Sequence, residues 1–154
     1  MRVLFVCLGN ICRSPTAEGV LRQKLRAAGL AERIEVASAG TGNWHVGKPP
    51  DARSQRAARH RGYDLSAQRA QQVTAMDFNR YDLILAMDQS NLRDLKALQP
   101  VGASAVLDLF LRRYEGVKNE VPDPYYDGDH GFEEVLDLVE QACDLLLIEL
   151  KGRL

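Results

Sequence analysis

Cysteine is scarce in this 154-residue chain: there are three, an odd number with no framework spacing. That excludes a disulfide-stapled secreted fold, and the expected setting is a reducing cytoplasm with free thiols. An excess of charge is also missing. Against 20 Lys+Arg stand 21 Asp+Glu, for a formal net charge of −1. Nothing therefore draws the whole surface to nucleic acid or to an anionic membrane, although a local positive cleft stays compatible with this balance. No apolar run has the length of a membrane span. The opening Met1-Arg2 followed by Val3 to Leu8 is too short for a signal-peptide core and stops at Gly9-Asn10. His45, His60 and His130 lack metal-ligand spacing, so no metal site is expected, nor any other cofactor. Repeats, low-complexity segments and linkers are absent too, which leaves one domain over residues 1–154.

What is present alternates. Val3 to Cys7, Ile34 to Ala39, Leu83 to Met87 and, more weakly, Ala105 to Leu107 read as buried strands. Between and after them, Ser14 to about Ala28, Asp51 to His60, Gln89 to Leu98 and Phe132 to Leu150 read as helices, the first with Ser14 as N-cap and Pro15 opening the helix. Strands alternating with helices predict an α/β fold, a parallel sheet with helices on both faces in a flavodoxin- or Rossmann-like three-layer arrangement. In such sheets ligands bind beyond the carboxyl ends of the strands. The stretch Cys7-Leu8-Gly9-Asn10-Ile11-Cys12-Arg13-Ser14 falls at that edge.

This loop has the composition of an anion cradle with a nucleophile at its floor. Gly9 permits a positive φ without steric cost, and Asn10 tolerates one better than most residues. Successive backbone N–H groups of such a loop can converge on a phosphate, and the following helix adds its free N–H groups and positive dipole end. Arg13 offers a planar fork for two phosphate oxygens. The same positive surroundings favour the Cys7 thiolate over the thiol, and Ser14 can either cap the helix or donate to that sulfur. A thiolate that displaces a phenolate from phosphorus leaves a strongly basic oxygen behind, so a general acid is needed. Asp123, in Val121-Pro122-Asp123-Pro124-Tyr125-Tyr126, is the best candidate, because two prolines stiffen the chain around one carboxylate. The adjacent tyrosines could wall a slot for an aromatic substrate. Gly42 to Lys48 matches most of a nucleotide-binding glycine loop, but Pro49 stands where the magnesium-binding hydroxyl would be. Cys143 lies among apolar residues and reads as core packing.

Taken together these segments resemble the low-molecular-weight protein tyrosine phosphatase family. Val6 to Pro15 is similar to its catalytic loop. Ser38-Ala39-Gly40-Thr41 with Trp44-His45 and Gly47, Tyr81 to Ile84 with Met87-Asp88 and Ser90 to Leu92, and Val121 to Tyr126 with Gly131 to Glu133 resemble its other blocks, in order. The resemblance implies a four-stranded parallel sheet and a two-step, metal-independent reaction through a phosphocysteine. In it Cys7 is the nucleophile, Arg13 and the N–H groups from Leu8, Gly9, Asn10, Ile11 and Cys12 bind the phosphate, and Asp123 is first acid and then base. It further implies that Asn10 and Ser14 hold the loop and the thiolate, that Trp44 and Tyr125 flank the substrate ring, and that Cys12 traps an oxidised Cys7 as a disulfide. The partner it implies is a phosphotyrosine-containing protein or a small aryl phosphate, with the enzyme a monomer or weak dimer. Relatives that prefer phosphoarginine often carry threonine where this chain has Ile11, so isoleucine favours phosphotyrosine. In Ser66 to Val73, where many relatives carry a histidine and an arginine, this chain has Gln68 and Gln71, which removes a histidine support for Asn10. Two other readings compete. Arsenate reduction would need further thiols, and only Cys12 and Cys143 are available; a non-catalytic phosphotyrosine-binding module would need neither the thiol nor the acid.

Overall fold

The structure is a computed structural model that describes residues 1–114, 118–125 and 128–154. Four strands, β1 (Arg2–Cys7), β2 (Glu35–Gly40), β3 (Leu83–Ala86) and β4 (Val106–Leu109), form one sheet in the order β2-β1-β3-β4. Every neighbouring pair is parallel, with Cys7 opposite Gly40 and Val6 opposite Ala86. The helices are α1 (Arg13–Ala27), α2 (Ala52–His60), α3 (Asp77–Arg80), α4 (Gln89–Leu98), α5 (Phe110–Arg113) and α6 (Gly128–Gly152). The chain leaves central β1 for β2 on one side and returns to β3 on the other. The carboxyl end of β1 is thus a topological switch point, where such sheets open a crevice.

Two apolar layers explain why β1 is apolar without alternation. Side chains alternate across a strand, so Val3, Phe5 and Cys7 face one layer, with Leu21 and Leu25 of α1 and Val139 and Leu146 of α6. Leu4 and Val6 face the other, with Phe78 of α3 and Leu92 and Leu95 of α4. A strand covered on both faces reads as a continuous apolar run. Phe5 packs edge-on against Phe110 at 5.1 Å between centroids. Each such fully buried Leu or Phe side chain stabilises the fold by about 1.5–3 kcal/mol. Among the described residues no helix is long and apolar enough to cross a membrane.

Four local expectations are corrected. Ser14 is not an N-cap: α1 already starts at Arg13, its N-cap is Cys12, and no side chain caps it. Pro15 still falls in the first turn, where a missing N–H costs nothing. The fourth strand is Val106–Leu109 rather than Ala105 to Leu107, and it runs straight into α5. The two four-residue helices α3 and α5 are too short to show a helical period and were not expected. Finally, α6 starts at Gly128, before Phe132, because its first turn is polar.

Candidate active site

The loop from Cys7 to Arg13 turns on a single backbone feature. Asn10 has φ 57°, the only non-glycine residue with positive φ among those described, and it rather than Gly9 takes the left-handed conformation. At Gly9 a Cβ would come within 3.1 Å of the His45 ring, a tight contact that the ring would have to yield to. The Asn10 turn aims its own N–H back at Cys7 Sγ, 3.3 Å away.

The Asn10 side chain holds this conformation. Its Nδ2 donates to Ser14 Oγ (2.9 Å) and to Ser38 Oγ (3.0 Å), and its Oδ1 accepts the Gln71 backbone N–H (2.9 Å). Ser38 in turn donates to Glu18 Oε1 at 2.7 Å. Ser14 Oγ accepts from Asn10 and lies 2.9 Å from Cys7 Sγ and 3.4 Å from Ala39 O, so its single hydrogen can be given to the sulfur or to that carbonyl. A chain of hydrogen bonds therefore runs from Glu18 through Ser38, Asn10 and Ser14 to the sulfur. Burial pushes the Glu18 carboxyl pKa up, while Ser38 and Arg22 oppose that rise. Asn10 Oδ1 is thus met by main chain and not by a histidine, while the Gln71 side chain donates to Ser38 O at 3.0 Å. The Gln68 side chain instead donates to Pro15 O at 3.0 Å.

Arg13 is a deeply buried cation, 3% exposed. Its Nη1 donates to Asp88 Oδ2 (2.7 Å) and to Val121 O (3.1 Å), and its Nη2 lies 3.9 Å from Asp123 Oδ2. Burial works against its charge, but Cys7, Asp88 and Asp123 outweigh it and raise its pKa. Asp88 also caps α4 by accepting the Asn91 N–H at 2.7 Å. The Asp123 loop reaches the site from the far side of the sheet edge. Val121 N donates to Met87 O at the end of β3 (2.8 Å), and Tyr125 N donates to Asp123 Oδ1 (3.1 Å).

These elements enclose an open cleft of about 260 Å³. Its floor is Cys7 with Leu8, Gly9, Ile11, Cys12 and Arg13; its walls are Trp44, His45, Asp123 and Tyr125. Of the described residues expected at the site, Cys7, Leu8, Gly9, Ile11, Cys12, Arg13, Trp44, Asp123 and Tyr125 line this cleft, and Asn10 and Ser14 stand beneath its floor as supports. Trp44 is largely exposed at the mouth. Tyr126, expected as a second wall, lies outside the described residues. The Cys12 thiol is pushed up to about 12 by burial, against a hydrogen bond with Ser54, so it is a neutral thiol at physiological pH. Cys143 is wholly buried in α6, and its pKa is raised for the same reason.

Sequence reasoning missed several partners. Glu18 carries a recognisable signal: Ser14 and Glu18 stand one turn apart on the same helical stripe as Leu21 and Leu25, so polar residues interrupt an apolar face just behind the loop. Asp88 stands just before Gln89-Ser90, where a helix cap is the simplest local reading, and its ion pair with Arg13 spans 75 residues that no local pattern connects. His45 lines the cleft, although the sequence assigned it no role beyond its place beside Trp44.

A doubly wound α/β domain with an arginine-lined cradle at its switch point defines an anion-binding enzyme architecture, and comparison with known proteins narrows it. The family model described as low molecular weight phosphotyrosine protein phosphatase matches residues 2–153. A low molecular weight protein-tyrosine-phosphatase of Streptomyces coelicolor is 45% identical over 150 residues, covering 95% of this chain and 91% of that protein. The crystal structure of a protein tyrosine phosphatase from Entamoeba histolytica, with Hepes in its active site, superposes with TM-score 0.93 at 39% identity over 100% of this chain and 99% of that one. A Drosophila arginine phosphatase superposes with TM-score 0.91 at 32% identity over 98% of both chains. This chain belongs to the low-molecular-weight phosphotyrosine protein phosphatase family.

Proposed function

We propose that the protein is a cytoplasmic phosphatase that hydrolyses phosphotyrosine in proteins and small aryl phosphates through a phosphocysteine. The observation that carries this reading is that Cys7 and Arg13 form the floor of the same cleft whose rim holds Asp123. A phosphate monoester enters with its equatorial oxygens on Arg13 and the loop N–H groups, which stabilise charge as it redistributes. Cys7 Sγ, held by Ser14, attacks phosphorus in line; the S–P bond forms and the P–O bond to the aryl group breaks. Asp123 gives its proton to the departing phenolate. Water then attacks the phosphocysteine, Asp123 takes its proton, the S–P bond breaks, and inorganic phosphate leaves. Trp44 and Tyr125 supply aromatic walls for the ring.

Cys12 belongs to the same reading as a redox guard. When oxidation converts Cys7 to a sulfenic acid, the Cys12 thiol displaces water from it and an intramolecular disulfide forms, which reduction reverses. Loss of two hydrogens in the intact mass after mild peroxide treatment, reversed by dithiothreitol and absent in Cys12→Ser, tests this step.

Phosphoarginine is the second substrate to weigh, since one structural neighbour is named an arginine phosphatase. Ile11 lines the cleft as an apolar residue, which favours the aryl ester. Arsenate reduction finds little support: beyond Cys12 the only further thiol, Cys143, is sealed in the core. The test is a panel of phosphotyrosine, phosphoarginine and phosphoserine peptides beside arsenate-dependent thiol consumption. Turnover is expected on phosphotyrosine above the others; preference for phosphoarginine or arsenate would overturn the assignment.

A further inference from the structure

The acid loop hangs between two arginines, and only one of them belongs to the phosphate cradle. Two residues before Asp123, Arg13 Nη1 holds the carbonyl of Val121. Two residues after it, the Tyr125 ring lies against the guanidinium of Arg53, 5.2 Å from Cζ to the ring centroid. A second ring against that guanidinium is Phe132, at 4.7 Å, a buried residue in the first turns of α6. Arg53 thus joins the outgoing half of the loop to the helix that follows it.

Arg53 is itself held flat. Asp51 accepts from its Nε (3.1 Å) and its Nη2 (3.0 Å), a two-point contact that fixes the plane of the fork. The same carboxylate caps α2 by accepting the Arg53 backbone N–H at 2.8 Å. Burial disfavours the Asp51 carboxylate, but the bonds to Arg53 outweigh this and lower its pKa, so the pair is charged at neutral pH. The start of α2 is in turn fastened to the catalytic loop, since Asp51 N donates to Ile11 O at 2.8 Å. One continuous path therefore links the floor of the cleft to the acid loop, from Ile11 through Asp51 and Arg53 to Tyr125.

We propose that Arg53, oriented by Asp51, is a positioning residue that sets Asp123 over the leaving-group oxygen. This rests on the phosphatase reading above, with Asp123 as the acid. A guanidinium stacked on aromatic faces resists tilting more than an ammonium does, and an ammonium cannot make the two-point contact with Asp51. Asp123 itself is half exposed, with 51% of its side chain in solvent against 4% for Arg13, so its placement depends on what holds the chain on either side. A small displacement of a catalytic group costs rate without touching ground-state binding.

The test compares Arg53→Met, which keeps length and apolar packing, with the wild type on a series of aryl phosphates of rising leaving-group pKa. Arg53→Met should lower kcat/KM for phenyl phosphate by about tenfold and for p-nitrophenyl phosphate by less than about twofold, a steeper leaving-group dependence of the kind a displaced acid produces. Competitive inhibition by inorganic phosphate should stay within about twofold, because the cradle is untouched. In an Asp123→Ala background Arg53→Met should add no further leaving-group dependence, as residues acting through one group are not additive. Asp51→Asn keeps the helix cap and should show the same pattern more weakly; it carries the test if Arg53→Met does not fold. An equal loss across the series, or an undiminished effect in the Asp123→Ala background, would overturn the proposal. Wild-type protein inert toward every aryl phosphate would instead overturn the phosphatase reading itself.

Discussion

The floor of the cleft and the loop that closes over it are built on opposite principles. Cys7, Asn10, Arg13 and Ser14 are buried, and each is tied by hydrogen bonds that reach into the core. Asp123 is half exposed; its carboxylate accepts the Tyr125 N–H and makes a long contact to Arg13. The difference follows from what each must do. A cradle for a dianion has to keep its donors converged when empty, and a buried network does this without reorganising. An acid that must take up and release a proton in each cycle needs access to solvent.

The contrast predicts that changes in the floor affect both turnover and folding, whereas changes in the loop affect turnover alone. The largest effect is expected from Cys7→Ser. It should lower kcat by about 10⁴-fold or more, as loss of a nucleophile does, while inorganic phosphate still binds. Undiminished hydrolysis would break the assignment of the floor. Asp123→Ala should cost about 10²–10⁴-fold on phenyl phosphate and much less on substrates with good leaving groups, with the thermal midpoint unchanged. A fall in that midpoint would show that the loop, too, is part of the folding core.

Asn10→Ala sharpens the comparison from the other side. It leaves Ser14 and Ser38 without a donor and places alanine at a positive φ, which together should destabilise the fold by roughly 2–4 kcal/mol in urea titrations. Reduced activity at unchanged stability would instead mean that Asn10 serves the phosphate alone. The smallest expected effect is in pH. The Glu18 pKa is raised in the folded state, so the stability linked to it is fully present below its unfolded value and is lost as pH rises through the folded one. Asp51, Asp108 and Glu149 have lowered values, because their arginine partners outweigh burial. Their contribution is present above the ordinary carboxylate range and is lost as pH falls through it. Urea midpoints should therefore drop below about pH 4, and Glu18→Gln should remove the slight decline on the alkaline side of the carboxylate range. An unchanged slope in Glu18→Gln would remove Glu18 from that account.

The two regions were also unequally legible in the sequence. The strand, the glycine-bearing loop and the helix after it sit in consecutive residues, so Cys7 to Arg13 could be read as one device, and the apolar runs of β1 and β3 gave the buried sheet. What supports that device could not be read locally. Ser38 and Glu18 come from separate elements, and Gln71 contributes a backbone N–H that no residue type announces. Asp123 is legible through chemical need and two flanking prolines, but Arg53 falls in a run of charges, Arg53 to Arg61, that reads most simply as a solvated helix face. Its contacts with Tyr125 and Phe132 span about 70 residues of sequence and exist only because α2 and α6 pack together. The helical boundaries that were missed, at α3, α5 and the start of α6, are those where polar or very short segments carry no periodicity.

The burial of the sulfur has a stereochemical consequence. With the sheet and Ser14 behind it, Cys7 faces only the cleft, so in the reaction proposed above it would meet phosphorus from one direction, and both departing aryl oxygen and incoming water would use the opposite, open side. Two successive in-line displacements along that single axis would each invert the phosphorus centre. A phosphate made chiral with oxygen isotopes and passed to an acceptor alcohol in place of water should emerge with its original handedness.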